Sequence, residues 1–284
     1  MPTSRPVVTR FAPSPTGYMH LGHAYAALFA WRAARTVGGR FQIRIEDIDK
    51  GRCRPAFADA IVEDLDWLGL DWDGPVMRQS DNLADYGRAI ERLEALDVLY
   101  PCFCTRSEIR AEIARADAAP HGPDGALYPG TCRVLSRDQR RARIALGRPF
   151  ALRLNMDKAM ALAGPLDWHD RALGRQPCDP AGAGDVVVAR KDTPTSYHLA
   201  VCVDDHRQGV TLVTRGEDLF QATHIHRLIQ ALLGLDVPAW HHHPLITDST
   251  GARLAKRNRA MTLRALRQAG KYPAQVRAMI GFES

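Results

Sequence analysis

Two histidines separated by a leucine and a glycine, His20-Leu-Gly-His23, follow the turn-rich stretch Ala12-Pro-Ser-Pro-Thr-Gly17. Residues 7–11 before it read as a buried strand. Residues 21–37 after it are rich in alanine, with Leu21, Tyr25, Leu28, Phe29 and Trp31 at helical spacing. Pro13, Pro15 and Gly17 force a tight, irregular turn between strand and helix. A helix start offers free N–H groups and the positive end of the dipole, which suit an anion. His20 and His23 can both point to that end, and Gly22 lets a nucleotide approach the backbone closely. The chemistry this predicts is stabilisation of charge on the phosphates of ATP, with Pro13, His20, Gly22 and His23 around them, during attack at the α-phosphorus. His-x-Gly-His taken alone would equally describe two surface histidines. The whole stretch from Arg10 to His23 is what gives it weight. Neither Gly-x4-Gly-Lys-Ser/Thr nor Gly-x-Gly-x-x-Gly occurs, so those nucleotide-binding folds lose support.

A fixed cation, Arg215 in Arg215-Gly-Glu-Asp-Leu219, lies far along the chain, where the fold can bring it beside that pocket to hold an anionic substrate. A third group is Cys102-Phe-Cys104 with Cys132, three soft ligands within 31 residues. A closed structural zinc site needs four ligands. Chemistry alone would take His121, in the same loop, as the fourth, and three core thiols are the other reading. Cys53, Cys178 and Cys202 are isolated and read as plain core or surface residues.

These groups need elements to position them. Strand 7–11, helix 21–37 (stopped by Gly38-Gly39) and strand 41–45 make a βαβ unit, whose ligand site falls at the strand C-terminal ends. Residues 55–68 and 83–96 read as amphipathic helices. The pattern changes near Pro101: residues 101–150 hold three of the six cysteines, a loop-like stretch 118–130 and an Arg-rich stretch from Arg133 to Arg148. That stretch is read equally as RNA-facing or as a solvated helix face. Residues 151–154, 185–189, 197–203 and 210–214 read as strands, and 219–233 as a helix. The expected fold is α/β: a Rossmann-type, doubly wound parallel sheet in two halves (residues 1–100 and 196–240), an inserted zinc-binding module (101–195), and a short helical tail (241–284). Consecutive His241, His242 and His243 cannot all face one ion in regular structure, and are read as loop or RNA-facing surface.

At 284 residues the chain can bury a sizeable core. Its net charge of +6 favours a polyanionic partner. No apolar run approaches the roughly 18 residues of a membrane span, and no signal-peptide apolar region opens the sequence. A cytoplasmic protein with reduced thiols is expected, without a membrane partner, and as a monomer.

The segment Arg10-Phe-Ala-Pro-Ser-Pro-Thr-Gly-x-x-His-x-Gly resembles the signature of the glutamyl-type class I aminoacyl-tRNA synthetases. Phe41-Gln-Ile-Arg-Ile-Glu-Asp-Ile-Asp49 and the stretch from Val203 to Leu219 look similar to that family as well. The resemblance runs from about Arg10 to Arg267. It implies a catalytic domain that makes an aminoacyl adenylate from ATP with Mg2+ and L-glutamate. Glutamate brings two carboxylates and one ammonium. Arg10 and Arg215 can each fork onto a carboxylate, Glu46 can take the ammonium, and Tyr197 offers a hydroxyl. The family's contacts to the amino acid fall here on Arg10, Ser14, Glu46, Tyr197 and Arg215. For Arg10 and Glu46 the alternative is a structural ion pair, and Asp204-Asp205 is expected to order a turn. The family's second ATP motif, Lys-x-Ser-Lys, aligns with Arg253-Leu-Ala-Lys256: Arg253 and Ala255 depart from it, while Lys256 is expected to act on the phosphates beside His20 and His23. The resemblance also favours Tyr128, as Tyr-x3-Cys, as the fourth ligand of one structural Zn2+ with Cys102, Cys104 and Cys132. The sequence runs only about 30 residues past Lys256, so no anticodon-binding domain is expected. This matches the family's short paralogues, the glutamyl-queuosine tRNA(Asp) synthetases, which activate glutamate without tRNA and attach it to queuosine in the tRNA(Asp) anticodon stem-loop. The alternatives are a minimal glutamyl-tRNA synthetase charging tRNA(Glu), a small-molecule adenylyltransferase and a catalytically silent RNA-binding paralogue.

Overall fold

The computed structural model describes residues 5–115, 121–122, 125–246 and 261–282. Four buried residues in a row make the first strand, β1 (Val8–Phe11). Helix α1 (Leu21–Arg35) returns the chain to β2 (Arg40–Ile45), which pairs parallel to β1 with Val8 opposite Arg40. Helix α2 (Pro55–Trp67) begins on a proline, whose missing N–H would be unpaired there in any case. It leads to the two-residue β3 (Met77–Arg78), parallel to β2, and to α3 (Leu83–Ala95). Then come β4 (Leu99–Cys102), α4 (Arg106–Arg115), the short pair β5 (His121–Gly122) and β6 (Gly125–Ala126), α5 (Arg137–Ala145), β7 (Ala151–Leu154), α6 (Met156–Ala163), the hairpin β8 (Asp167–Asp170) and β9 (Gly174–Pro177), and β10 (Val187–Ala189). The chain closes with α7 (Tyr197–Arg207), β11 (Leu212–Gly216), α8 (Phe220–Leu233), β12 (Ala239–His243), α9 (Leu263–Gln268) and α10 (Pro273–Met279).

Strands β3, β2 and β1 form one parallel sheet, and β11, β12, β8 and β9 a second in which β11, β12 and β8 run parallel. The two adjoin where the Thr211 N–H donates to Val8 O at 3.0 Å and the Val8 N–H to Thr211 Oγ1 at 2.8 Å. The parallel strands therefore run β3-β2-β1-β11-β12-β8, a doubly wound order whose switch point lies between β1 and β11. Helices cover both faces. Phe11, Leu28, Phe41, Ile43, Leu65, Leu266 and Val276 share one core among α1, α2, α9 and α10, while Leu93, Leu154, Leu199, Ile225 and Ile229 share another among α3, α7 and α8. Strands β10, β7 and β4 make a separate antiparallel sheet. Among the described residues no helix is long and apolar enough to cross a membrane.

Two expectations are corrected here. Residues 197–203 are the first turns of α7, not a strand. Ser196 caps this helix, and Leu199, Ala200, Val201 and Cys202 are all buried. A helix covered on most sides shows a continuous apolar run, which mimics a buried strand. Residues 241–243 are strand, not loop or surface. His242 and His243 are buried, and β12 pairs with β11 so that Arg215 lies opposite His242. The helical tail starts only after β12. The β8–β9 hairpin, from the stretch expected to be an insertion, pairs Asp170 with Trp240 on β12 and so extends the catalytic sheet.

Candidate active site

Helix α1 opens at the C-terminal end of β1, and its histidines cap it. His20 Nδ1 accepts the Gly22 N–H at 3.1 Å, and His23 Nδ1 accepts the His20 N–H at 3.2 Å. The expected free N–H groups are thus partly taken by the imidazoles, whose ring centroids lie 3.9 Å apart. With Nδ1 accepting on both rings, each neutral ring carries its proton on Nε2, a donor suited to phosphate oxygens. The turn before the helix is pinned by its carbonyls. Pro13 O accepts from the Glu46 N–H and Pro15 O from the Arg54 N–H, each at 3.0 Å, while Ser14 stays exposed. Thr262 forms a bridge with His20, and the Leu263 N–H donates to Met19 O at 2.8 Å. The start of α9 is thereby fixed beside the two histidines. Arg253, Ala255 and Lys256 lie outside the described residues.

Behind β1 and β2 is a buried ionic group. Arg10 gives its Nε–H to Asp205 Oδ1 at 2.9 Å, and its Nη1 reaches Thr214 O at 3.3 Å. Arg44, fully buried, donates from Nη1 to the same Asp205 oxygen at 2.8 Å and from Nη2 to Glu46 Oε1 at 3.4 Å. Burial alone would raise the Asp205 carboxyl, but Arg10 and Arg44 hold it below its ordinary value. Asp204 accepts from Gln79 Nε2 at 2.7 Å and from the Tyr86 hydroxyl at 3.0 Å. The side chain of Asp205 therefore ties α7 to β1 and β2, and that of Asp204 ties it to Gln79 and to Tyr86 of α3. Arg10 keeps part of its guanidinium for a ligand, since Nε and Nη2 face Asp205. Burial raises the Glu46 carboxyl, with Arg44 and Arg10 offsetting part of that rise.

Arg215 ends β11 in a different environment. Only 6% of it is exposed, and no carboxylate lies within ion-pair distance among the described residues. Its Nε–H goes to His242 Nε2 at 3.2 Å, Nη1 to His226 Nδ1 at 3.1 Å and Nη2 to Thr223 Oγ1 at 2.5 Å. Burial lowers its affinity for a proton. A buried guanidinium without an acid is costly unless an anion arrives. The Tyr197 hydroxyl stands among these groups: burial raises it, and Arg215, Glu46 and Arg10 all act on it electrostatically. A Cβ on the next residue, Gly216, would stand 2.5 Å from Asp218 Oδ1 and 2.9 Å from Leu245 Cδ2, so these side chains would have to shift to admit one. The structure thus brings Arg10, Glu46, Tyr197 and Arg215 together at the switch point. Sequence reasoning missed Arg44, Asp170, His198, His226 and the inward role of His242. Strand alternation was the available signal for the last: His241 and His243 face Phe29 of α1, while His242 points the other way, to Phe220.

The thiols of Cys102, Cys104 and Cys132 lie within 4.8 Å of one another, with Cys104 and Cys132 Sγ 3.5 Å apart. A zinc ion with Zn–S bonds of about 2.3 Å sets its sulfurs about 3.8 Å apart, so this spacing fits a tetrahedral edge. Tyr128 Oη is 3.7 Å from Cys104 Sγ and accepts the Cys132 N–H at 2.8 Å, which puts it on the open side of the three sulfurs. Nothing is described of the His121 side chain. The cluster is linked to the site through Lys191 Nζ on Phe103 O at 2.8 Å and the neighbouring Arg190, which pairs with Asp49 at 3.1 Å just beyond Glu46.

A doubly wound sheet with paired histidines at the first helix and a buried, acid-free arginine at the switch point matches a known family. Residues 6–282 match the tRNA synthetases class I (E and Q), catalytic domain, and the chain belongs to that family. A relative from Rhodobacter capsulatus, Glutamyl-Q tRNA(Asp) synthetase, is 50% identical over 281 residues, covering 97% of this chain and 100% of that protein. One of the same name from Symbiobacterium thermophilum is 46% identical over 279 residues, covering 94% and 83%. Among solved structures, a glutamate tRNA ligase from Elizabethkingia meningosepticum in complex with its amino acid is 32% identical, with a TM-score of 0.75. That match covers 89% of this chain and 52% of the ligase, so the chain spans about half the ligase's length.

Proposed function

We propose that this chain activates glutamate with ATP and Mg2+, without tRNA, and transfers it to the queuosine at the wobble position of tRNA(Asp). The glutamate carboxylate attacks the α-phosphorus, and pyrophosphate leaves. A queuosine hydroxyl then attacks the carbonyl of the adenylate, and AMP leaves. In this reading Arg215 and Arg10 hold carboxylates, Glu46 the ammonium, and Tyr197 and Ser14 complete the glutamate contacts. Pro13 and Gly22 line the nucleotide, and His20, His23 and Lys256 stabilise charge on its phosphates. Cys102, Cys104, Cys132 and Tyr128 hold one zinc ion, which would keep the module at 101–195 rigid and aimed at RNA while taking no part in activation. Residues 1–100 and 196–240 form the activating body, extended by β12, and the remaining tail carries the second ATP loop. The enzyme works as a monomer in the cytoplasm.

The observation that carries the reading is Arg215, a buried cation fixed by neutral groups at the switch point, where a doubly wound sheet takes its ligand. The names of the full-length relatives supply the acceptor. The test is transfer of radiolabelled glutamate to queuosine-containing tRNA(Asp), to the same tRNA without queuosine and to tRNA(Glu). Label on the first alone is expected. Label on tRNA(Glu) alone would make the chain a minimal glutamyl-tRNA synthetase instead.

A further inference from the structure

Three of the five N–H groups of the Arg215 guanidinium are used inside the protein, and each acceptor has its own support. Asp170 Oδ2 lies 2.7 Å from His242 Nδ1, which therefore carries the ring proton and leaves Nε2 to accept from Arg215 Nε. His226 accepts from Arg215 through Nδ1, so its proton is on Nε2, 3.1 Å from His198 Nδ1. Thr223 accepts from Nη2, and its own proton can go to His242 Nε2 at 3.2 Å. The three bonds from Arg215 require His242 and His226 to be neutral, each with one ring nitrogen free to accept. Asp170 is itself immobile: its other oxygen accepts the Ala172 and Leu173 N–H groups at 2.8 and 3.1 Å in the turn after β8.

We propose that Asp170, His242 and His226 are positioning residues that aim Arg215 at the substrate's side-chain carboxylate and thereby set the preference for glutamate over glutamine. The inference rests on the reading of Arg215 as a carboxylate-binding group. The arrangement of donors carries it: two N–H groups, one on each terminal nitrogen, are taken by none of these three acceptors, the number a bidentate carboxylate takes, and the Tyr197 hydroxyl is the other group within hydrogen-bonding reach of the guanidinium. The interposed imidazole matters. Were Asp170 to touch the guanidinium directly, it would occupy that fork and neutralise the charge. Through His242 it fixes the orientation and leaves the cation for the ligand. A glutamine amide would set its NH2 against one of the two N–H groups, donor to donor, and lose the pairing. Burial supports the neutral rings, pushing His242 and His198 down to about 4 and His226 well below its ordinary value.

The experiment is ATP–pyrophosphate exchange by the full chain with glutamate and with glutamine. His242→Leu removes the acceptor. His242→Gln returns an acceptor near the place of Nε2. The expected result for His242→Leu is a KM for glutamate raised at least tenfold, a KM for ATP changed less than twofold, and a glutamate-to-glutamine ratio of kcat/KM reduced at least tenfold. His242→Gln should recover most of each. His226→Leu and His226→Asn, whose amide stands in for Nδ1, make the same comparison and hold the test if His242→Leu does not fold. Unchanged glutamate KM and selectivity, or equal increases in both KM values, would overturn the proposal alone. Absence of glutamate exchange by the unaltered chain would instead overturn the reading beneath it.

Discussion

Replacing Arg215 by methionine separates substrate binding from stability, because the two consequences have opposite expected sizes. The two N–H groups left to a carboxylate are charge-assisted donors worth about 1.5–3 kcal/mol each. Losing both costs about 3–6 kcal/mol, roughly 10²–10⁴-fold in kcat/KM for glutamate. The fold should barely respond. Methionine fills much of the volume, and removing a buried cation with no acid among the described residues relieves its desolvation cost. Against this stand the acceptors left on His226 and His242, at about 1 kcal/mol each; Thr223 remains 3.2 Å from His242 to serve one of them. The melting temperature is therefore expected within about 3 °C of the parent. Exchange kinetics with glutamate and a thermal melt on the same preparation decide the matter. Exchange within a few-fold of the parent would remove Arg215 from the substrate site. A fall in melting temperature beyond about 10 °C would make it a structural residue.

Asp64→Asn tests a different buried charge. Asp64 is fully buried on α2, neither carboxylate oxygen has a hydrogen-bond partner, and Arg267 Nη2 is 3.9 Å away. Burial pushes its carboxyl up from 3.8 to about 6, Arg267 offsetting part of the rise. A carboxyl raised by folding favours the native state at low pH, and that advantage is lost as pH climbs through about 6. Asparagine mimics the protonated acid at every pH, so the variant should exceed the parent by about 1.5 kcal/mol at pH 5 and about 3 kcal/mol at pH 8. A difference in denaturation free energy that stays flat across this range would show that Asp64 does not titrate as stated. For the cysteine cluster, elemental analysis should find one zinc per chain. Cys132→Ser should lose most of it, with glutamate-dependent exchange within about threefold and transfer to tRNA reduced more strongly. Metal-free parent protein with full transfer activity would dismiss the zinc assignment.

The parts of the site that were legible in the sequence are local ones. His20 and His23 sit within one turn of helix, so their nearness follows from spacing, and the stretch from Arg10 onward is what pointed to a shared role. Cys102, Cys104 and Cys132 were legible as a soft-ligand group because they fall within 31 residues, whereas Tyr128 came from the family resemblance and not from spacing. The strands and helices bounding the switch point could be read to within a residue or two, because β1, β2, α1 and α8 have apolar periods that match their burial. The reading failed at residues 197–203, where a helix buried on most sides lost its polar stripe. It failed again at residues 241–243, where three polar letters concealed a strand.

Types and spacing were enough to read an α/β chain with a helix start suited to an anion, a cation suited to an acid and a soft-ligand cluster. The tertiary structure alone assigned partners to the charges. Arg10, Arg44 and Asp205 come from β1, β2 and α7, and Asp170, His242, Arg215 and His226 from β8, β12, β11 and α8. Only the parallel registry of β1, β11 and β12 brings these distant positions within hydrogen-bonding distance. In the sequence Arg10 and Arg215 are the same residue type in comparable settings. In the fold one is paired with Asp205, and the other meets imidazoles and hydroxyls among the described residues. The physical reason is that a guanidinium's availability depends on which groups remain within about 4 Å after packing, and strand registry across the chain sets that distance.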